Sequence, residues 1–559
     1  MLTRASLSAL LATVADAIRR TCSVRFTALT FVALGVALSA VQPLQAKTLR
    51  MAIADDATTM DPHAANILGN TRILHNIYEG LVTRDKNFKV VPALAVSWSQ
   101  PDAKTWRFKL RPNVRFHDGS PFTADDVVFS FERVMHPLSN FKSSVQGIAS
   151  AKKLDDLTVE FTMSEPNPVL LLHLVNFRIM SKSWAAKNNA LTPQNYKEKE
   201  DTVASRSTNG TGPFMLVSRQ TDVRTVITEN KTWWNRASPD RGNVTTVEWT
   251  PIKSPSTRMA ALLSGAIDFV IDPPVQDRER IKNTPGMKLQ LGSEPRIYFL
   301  GLDTFRDELL YSNVKGKNPF KDVRVRQAIS LAIDADLIVN KVNRGYGRVT
   351  SLIIGKEVQG YAADLDKRPK PDIARAKKLM ADAGYPAGFE VTIDCSNQVP
   401  FGEICQALGP MLAQIGIKLT PNIIINANYP PKIQKYDTSM YFWGWGAVTV
   451  DALYVMQSLA RSVGAERSGD GDANYGRHSN PKLDALIDRI KVENDMKKRD
   501  GLIREALIVI RDDAALIPTQ QVVVAWGMRK VLDAPFAANN LPYFYRFKLN
   551  RVRTGEGEQ

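Results

Sequence analysis

Two serine–lysine pairs come first among residues that could do chemistry. Ser139 with Lys142 and Ser150 with Lys153 satisfy the S-x-x-K spacing, in which a lysine amine activates a serine hydroxyl for acyl transfer. Neither has the S-D-N and K-T-G companions of such hydrolases, and two chance matches are unsurprising in 559 residues. DGDANYGRHSNP at 470–481 begins as a calcium loop would, with Asp470, Asp472 and Asn474 at alternate positions. Tyr475 then stands where the turn glycine belongs and Pro481 where the bidentate glutamate belongs. A solvated loop before a helix at 481–490 is the expectation. Six histidines are scattered without H-E-x-x-H or a close pair, which argues against a protein-built zinc site. No G-x-S-x-G elbow or phosphate loop occurs. The chain is read as non-enzymatic, with no catalytic group, no metal ligands and no cofactor. The segment best suited to hold a molecule without reacting is YFWGWGAVTVDALYVMQSL at 441–459. Trp443 and Trp445, with glycines between and after them, can bring flat apolar faces and backbone amides to a ligand. Core packing is the competing reading for each ring.

These residues need elements to position them. At 105–134 apolar residues alternate through Trp106, Phe108 and Leu110, the period of a strand with one buried face. Arg111-Pro112-Asn113 ends it, Asp118-Gly119 makes a tight turn, and Thr123 caps a helix with Asp126 three residues on. Val127, Val128, Phe131 and Val134 share one face of that helix. Strands are expected at 48–54, 153–162, 214–219 and 223–230, then a β-α-β unit through TTVEWTPI, STRMAALLSG and IDFVI. A second alternating set follows, with helices at 322–340, 372–383 and 401–415 and strands at 389–395 and 417–425. A chain of 559 residues exceeds one ordinary core. Two α/β lobes with a cleft between them are expected, and such clefts are favoured pocket sites.

The stretch from Phe116 to Arg133 resembles the signature F-x-D-G-x-x-hydrophobic-T-A-x-D-V-x-F/Y-S-F/L-x-R of the large solute-binding proteins of bacterial ABC importers, the peptide/nickel/oligopeptide group. TTMDPHAAN (58–66), YEGLVTRD (78–85), NGTGPFML (209–216), NKTWWN (230–235), LLSGAIDFV (262–270), FKDVRVRQAISLAID (320–334) and AGYPAGFEVTI (383–393) recur in the family's order. The resemblance implies an α/β, two-lobed periplasmic-binding-protein type II fold (a Venus flytrap) of the large peptide-binding subclass, with an extra subdomain in lobe I. It implies lobe I at 47–300, lobe II at 301–519 and a return to lobe I at 520–559, with hinges near 294–304 and 517–524. It implies capture of a small-molecule or peptide ligand, with ABC permease and ATPase subunits as partners of a monomer. The alternative is a nickel- or metal-chelate binder, or a binder of another non-peptide solute, for the same kind of importer. Ligand contacts implied in this way are Asn66, in the loop after Asp61-Pro62-His63, and Arg296 and Tyr298 on the hinge strand. Peptide-binding relatives carry an aspartate three residues after the second tryptophan, where this chain has Val448. The pattern from Trp445 to Thr449 and Asp451-Ala452 is closer to glutathione-binding relatives, which makes Thr449 and Asp451 candidate contacts.

Arg19, Arg20 and Arg25 precede an apolar run at 26–40 and then VQPLQA, the layout of a cleavable secretory signal peptide over 1–46. The run is shorter than the roughly 20 residues that span a bilayer. Cleavage after Ala46 and a periplasmic mature protein are expected. Losing the leader's four arginines and one aspartate leaves +13 of the +16 formal charge. The basic residues are spread without a dense run, and no helix-turn-helix, zinc or RNA-binding signature points to nucleic acid. Two cysteines remain, Cys395 and Cys405. An exported pair favours a disulfide, the alternative being a core thiol at Cys405.

Overall fold

The alternation at 105–110 folds as its period requires. In the strand Thr105–Leu110, Trp106, Phe108 and Leu110 are buried while Arg107 and Lys109 are exposed. It lies in a four-stranded antiparallel sheet ordered Ala95–Asp102, Thr105–Leu110, Thr158–Met163, Ile148–Asp155. The helix Ala124–Met135 packs on this subdomain through Val127, Phe131 and Val134. Its first turn is closed as expected, the Thr123 N–H donating to the Asp126 carboxylate at 2.9 Å. The computed structural model describes residues 47–550 except 87, 197, 199, 427 and 465–469. The leader reading of 1–46 therefore lies outside the described residues.

Eleven strands form one mixed sheet. On one side Thr48–Ile53 runs parallel to both Thr246–Pro251 and Phe269–Ile271. On the other, Phe389–Ser396 runs parallel to both Ile417–Ile424 and Met440–Gly446. Two long antiparallel strands, Met287–Leu302 and Leu516–Arg529, join the sides. The stretch 287–293 pairs with 523–529 toward the first side, and 297–301 pairs with 516–521 toward the second. The register shifts between Ser293 and Ile297. Pro295 explains the position, because it has no N–H for a central ladder and is tolerated only at a bulge. The bulge still satisfies its carbonyls. Gln521 Nε2 donates to Glu294 O at 3.0 Å, and Ala447 N–H donates to Pro295 O at 2.7 Å.

This is the two-lobed type II architecture, with the long strands crossing between the halves. The expected helix at 322–340 is two pieces. Val323–Ala332 ends at Ile333, whose backbone is extended. Asp334 then caps a new turn, its carboxylate accepting from Leu337 N–H at 2.9 Å. Cys395 and Cys405 are bonded, with Cα atoms 6.6 Å apart, and both are also fully buried in the core.

Candidate ligand-binding site

The bulge at 294–296 borders a cavity of 340 Å³ whose wall draws on both halves. Asn66, Arg84, His173 and Arg178 come from the first half, and Val448, Thr449 and Tyr454 from the second. Leu68, Glu294 and Arg296 also border a second cavity of 650 Å³, lined by Tyr298, Arg278, Asp272 and Phe401. Both volumes fall in the usual range for small-molecule sites. The halves touch across the cleft. Arg84 Nη2 donates to Thr449 O at 3.1 Å, and Lys491 pairs with Glu165 at 2.9 Å.

The sequence-predicted contacts separate into two groups. Asn66, Arg296 and Thr449 line the smaller cavity and Tyr298 the larger. Trp443 and Trp445 do not. In the strand Met440–Gly446, Gly444 lies opposite Tyr298 and Gly446 opposite Arg296. Side chains alternate faces along a strand, so the tryptophans point the other way. Trp443 packs 5.2 Å from the Tyr429 ring and 5.6 Å from Tyr475. Trp445 stacks behind the cavity-lining Tyr454 at 6.0 Å. The glycines make room instead. A Cβ on Gly444 would lie 2.8 Å from the Tyr298 ring.

Asp451 also lies away from the cavity. It is fully buried, holds Arg499 with both oxygens at 2.7 and 2.8 Å, and accepts from Leu453 N–H at 2.9 Å. With its lone pairs so engaged it acts as a helix cap and ion-pair partner, not as a ligand carboxylate. Asp470 is likewise engaged, pairing with Arg461 at 3.1 Å and accepting from Gln457 at 2.8 Å. Among the described residues no group of three or more His, Cys, Asp or Glu side chains converges as for a metal ion. Ser139 donates to His63 O at 2.9 Å, and Lys153 pairs with Asp125 and Asp156.

Among the cavity residues not singled out from sequence are Arg84, His173 and Arg178. Burial pushes both arginines down to about 10, which leaves them cationic at neutral pH. Burial pushes His173 down to about 4, so it is neutral. Arg178 is held from behind by two of the signature motifs, 58–66 and 116–133. Arg133, which ends the F-x-D-G stretch, grips Asp61 at 2.6 and 2.7 Å and meets His63 Nδ1 at 3.1 Å. An arginine only donates, so Nδ1 accepts and Nε2 carries the proton. That Nε2–H donates to Arg178 O at 2.8 Å. Burial, then the Arg133 charge, push His63 down to about 3 and keep it in this neutral form. Burial alone would raise the Asp61 carboxyl, but Arg133 holds it below the usual carboxylate range. A lone arginine inside the apolar VNFRIM (175–180) was the available signal for Arg178.

Residues 89–467 match the family described as Bacterial extracellular solute-binding proteins, family 5 Middle. The chain belongs to that family. It is 27% identical over 474 residues to heme-binding protein A of Haemophilus influenzae, covering 80% of this chain and 82% of that relative. It is 26% identical over 498 residues to the glutathione-binding protein GsiB of Salmonella typhi, covering 87% and 91%. Among solved structures, it superposes on the ABC transporter-associated periplasmic binding protein DppA from Helicobacter pylori in complex with peptide STSA. The TM-score there is 0.74 at 25% identity, covering 90% of this chain and 98% of that one.

Proposed function

We propose that this chain is the capture component of an ABC importer, taking a peptide-like solute in the interlobe cleft and delivering it to a permease driven by a separate ATPase. The observation that carries this reading is a ligand-sized cavity walled by both halves at the register shift of the two crossing strands. Solute that touches both walls favours the closed arrangement by its differential affinity for it, which is sufficient for a transport signal. No bond in the solute is made or broken. Family membership and the glutathione- and peptide-binding relatives support the peptide-like class. The proposed lobe boundaries are 47–300, 301–519 and 520–559, acting as a monomer in the periplasm after cleavage behind Ala46. The proposed contacts are Asn66, Arg296, Tyr298 and Thr449, with Trp443, Trp445 and Asp451 supporting them from behind.

The test is mass spectrometry of small molecules released from the purified protein, followed by thermal unfolding with each one added back. A true solute stabilises by about 2.7 kcal/mol at a hundredfold excess over its Kd and is recovered unchanged. Turnover of the solute, or release of only a metal chelate, would replace this reading.

A further inference from the structure

We propose that the solute presents a carboxylate to Arg178 and Arg84, so that the cleft selects acidic or free-acid peptide-like ligands over neutral and cationic ones; this rests on the capture reading above. Arg178 is 5% exposed, yet among the described residues its Nη1 has no hydrogen-bond partner. Its guanidinium lies 5.3 Å from the Phe141 ring. Arg84, also 5% exposed, lies over Phe88 at 4.5 Å. Among the described residues its donors reach the carbonyls of Phe88 and Thr449, at 2.9 and 3.1 Å. Among the described residues neither arginine has a carboxylate within ion-pair distance. A buried cation without a counter-charge is a costly arrangement that a fold ordinarily closes internally.

Among the described residues, Thr449 Oγ1 and His173 Nδ1 on the same wall also lack partners. The one carboxylate on the wall, Glu294, is engaged by Arg296 at 3.0 Å. The wall therefore offers two guanidinium groups that, among the described residues, have no carboxylate partner. A guanidinium fork matches the two oxygens of a carboxylate, and such charge-assisted bonds strengthen when water is excluded. Phe141 and Phe88 hold the cations in place without neutralising them.

The experiment is calorimetry and thermal shift on the mature full-length protein with a panel of tripeptides, glutathione among them. Each is supplied as the free acid and with every carboxylate amidated. At least one free acid is expected to bind, with its amide weaker by on the order of a hundredfold. Arg178→Met is expected to lose a comparable factor, while Arg178→Lys, which keeps the charge without the fork, loses less. Without ligand, Arg178→Met should melt no lower than the parent, because it removes an unpaired buried charge. The acid–amide comparison needs no variant. Equal binding of acids and amides, or undiminished binding by Arg178→Met, would overturn the inference and leave the capture reading standing. A panel in which no member binds would overturn the peptide-like reading itself, and the inference with it.

Discussion

Arg133 and Arg499 are buried about as deeply as Arg84 and Arg178, and the two pairs are treated in opposite ways. Arg133 closes a two-pronged ion pair on Asp61 and Arg499 one on Asp451, with all four side chains at 0–1% exposure. Arg84 and Arg178, at 5% exposure, meet aromatic rings and carbonyls instead. Desolvation is similar at all four, so the difference lies in what completes the charge. A cation completed from within holds elements together. One left incomplete against a ligand-sized cavity is completed from outside. The pairs also cooperate, since Arg133 and Asp61 orient His63, which holds the backbone of Arg178.

The comparison breaks most visibly at the aspartates. Asp61→Ala and Asp451→Ala should each cost about 3–5 kcal/mol in denaturant unfolding, because each strands a buried guanidinium. Asp451→Ala should keep its affinity for any acid tripeptide the parent binds. Normal stability with lost affinity would make Asp451 a ligand group after all. A smaller effect is expected at Asp513, whose carboxyl accepts from His478 at 2.8 Å and Asn480 at 2.7 Å. Burial would raise its pKa, but these bonds and the His478 and Arg326 charges hold it down to about 2. An unfolded aspartate titrates near 3.9. Its contribution is therefore complete above about pH 4 and lost as pH falls toward about 2. Asp513→Asn should flatten the stability curve in that window, and an unchanged curve would deny the carboxyl this role. The smallest effect belongs to the rim pair Lys491–Glu165, whose side chains are 42% and 56% exposed. Glu165→Gln should cost less than about 1 kcal/mol, and less again at high salt. A hundredfold fall in ligand affinity in that variant would move control of closure from the buried arginines to the rim.

Local patterns carried most of the fold. The alternation at 105–110, the Thr123–Asp126 cap and the hairpin at 214–230 depend on near neighbours, and each forms. The helix read over 322–340 breaks because Asp334 competes for the backbone, a local signal outweighed by the apolar period around it. The site was less legible. Trp443 and Trp445 are conspicuous by type, yet the register of their strand against 296–302 turns them to the face opposite Arg296 and Tyr298. Asp451 looked available until Arg499, forty-eight positions away, took both its oxygens. Arg178 carried a faint signal, a charge inside an apolar run, with nothing nearby to show whether it was paired.

Periodicity, turn residues, caps and ordered motifs in the amino-acid sequence determined the α/β elements, the family and the expectation of a cleft. These features act over a few residues, or are repeated along the chain, and so can be read without coordinates. Which charges are paired was decided only by the tertiary structure. Ion pairing depends on approach within a few ångströms of groups tens to hundreds of positions apart, and burial sets what an unpaired charge costs. Asp61 with Arg133, Asp451 with Arg499, and Arg84 and Arg178 left facing the cavity are outcomes of that packing.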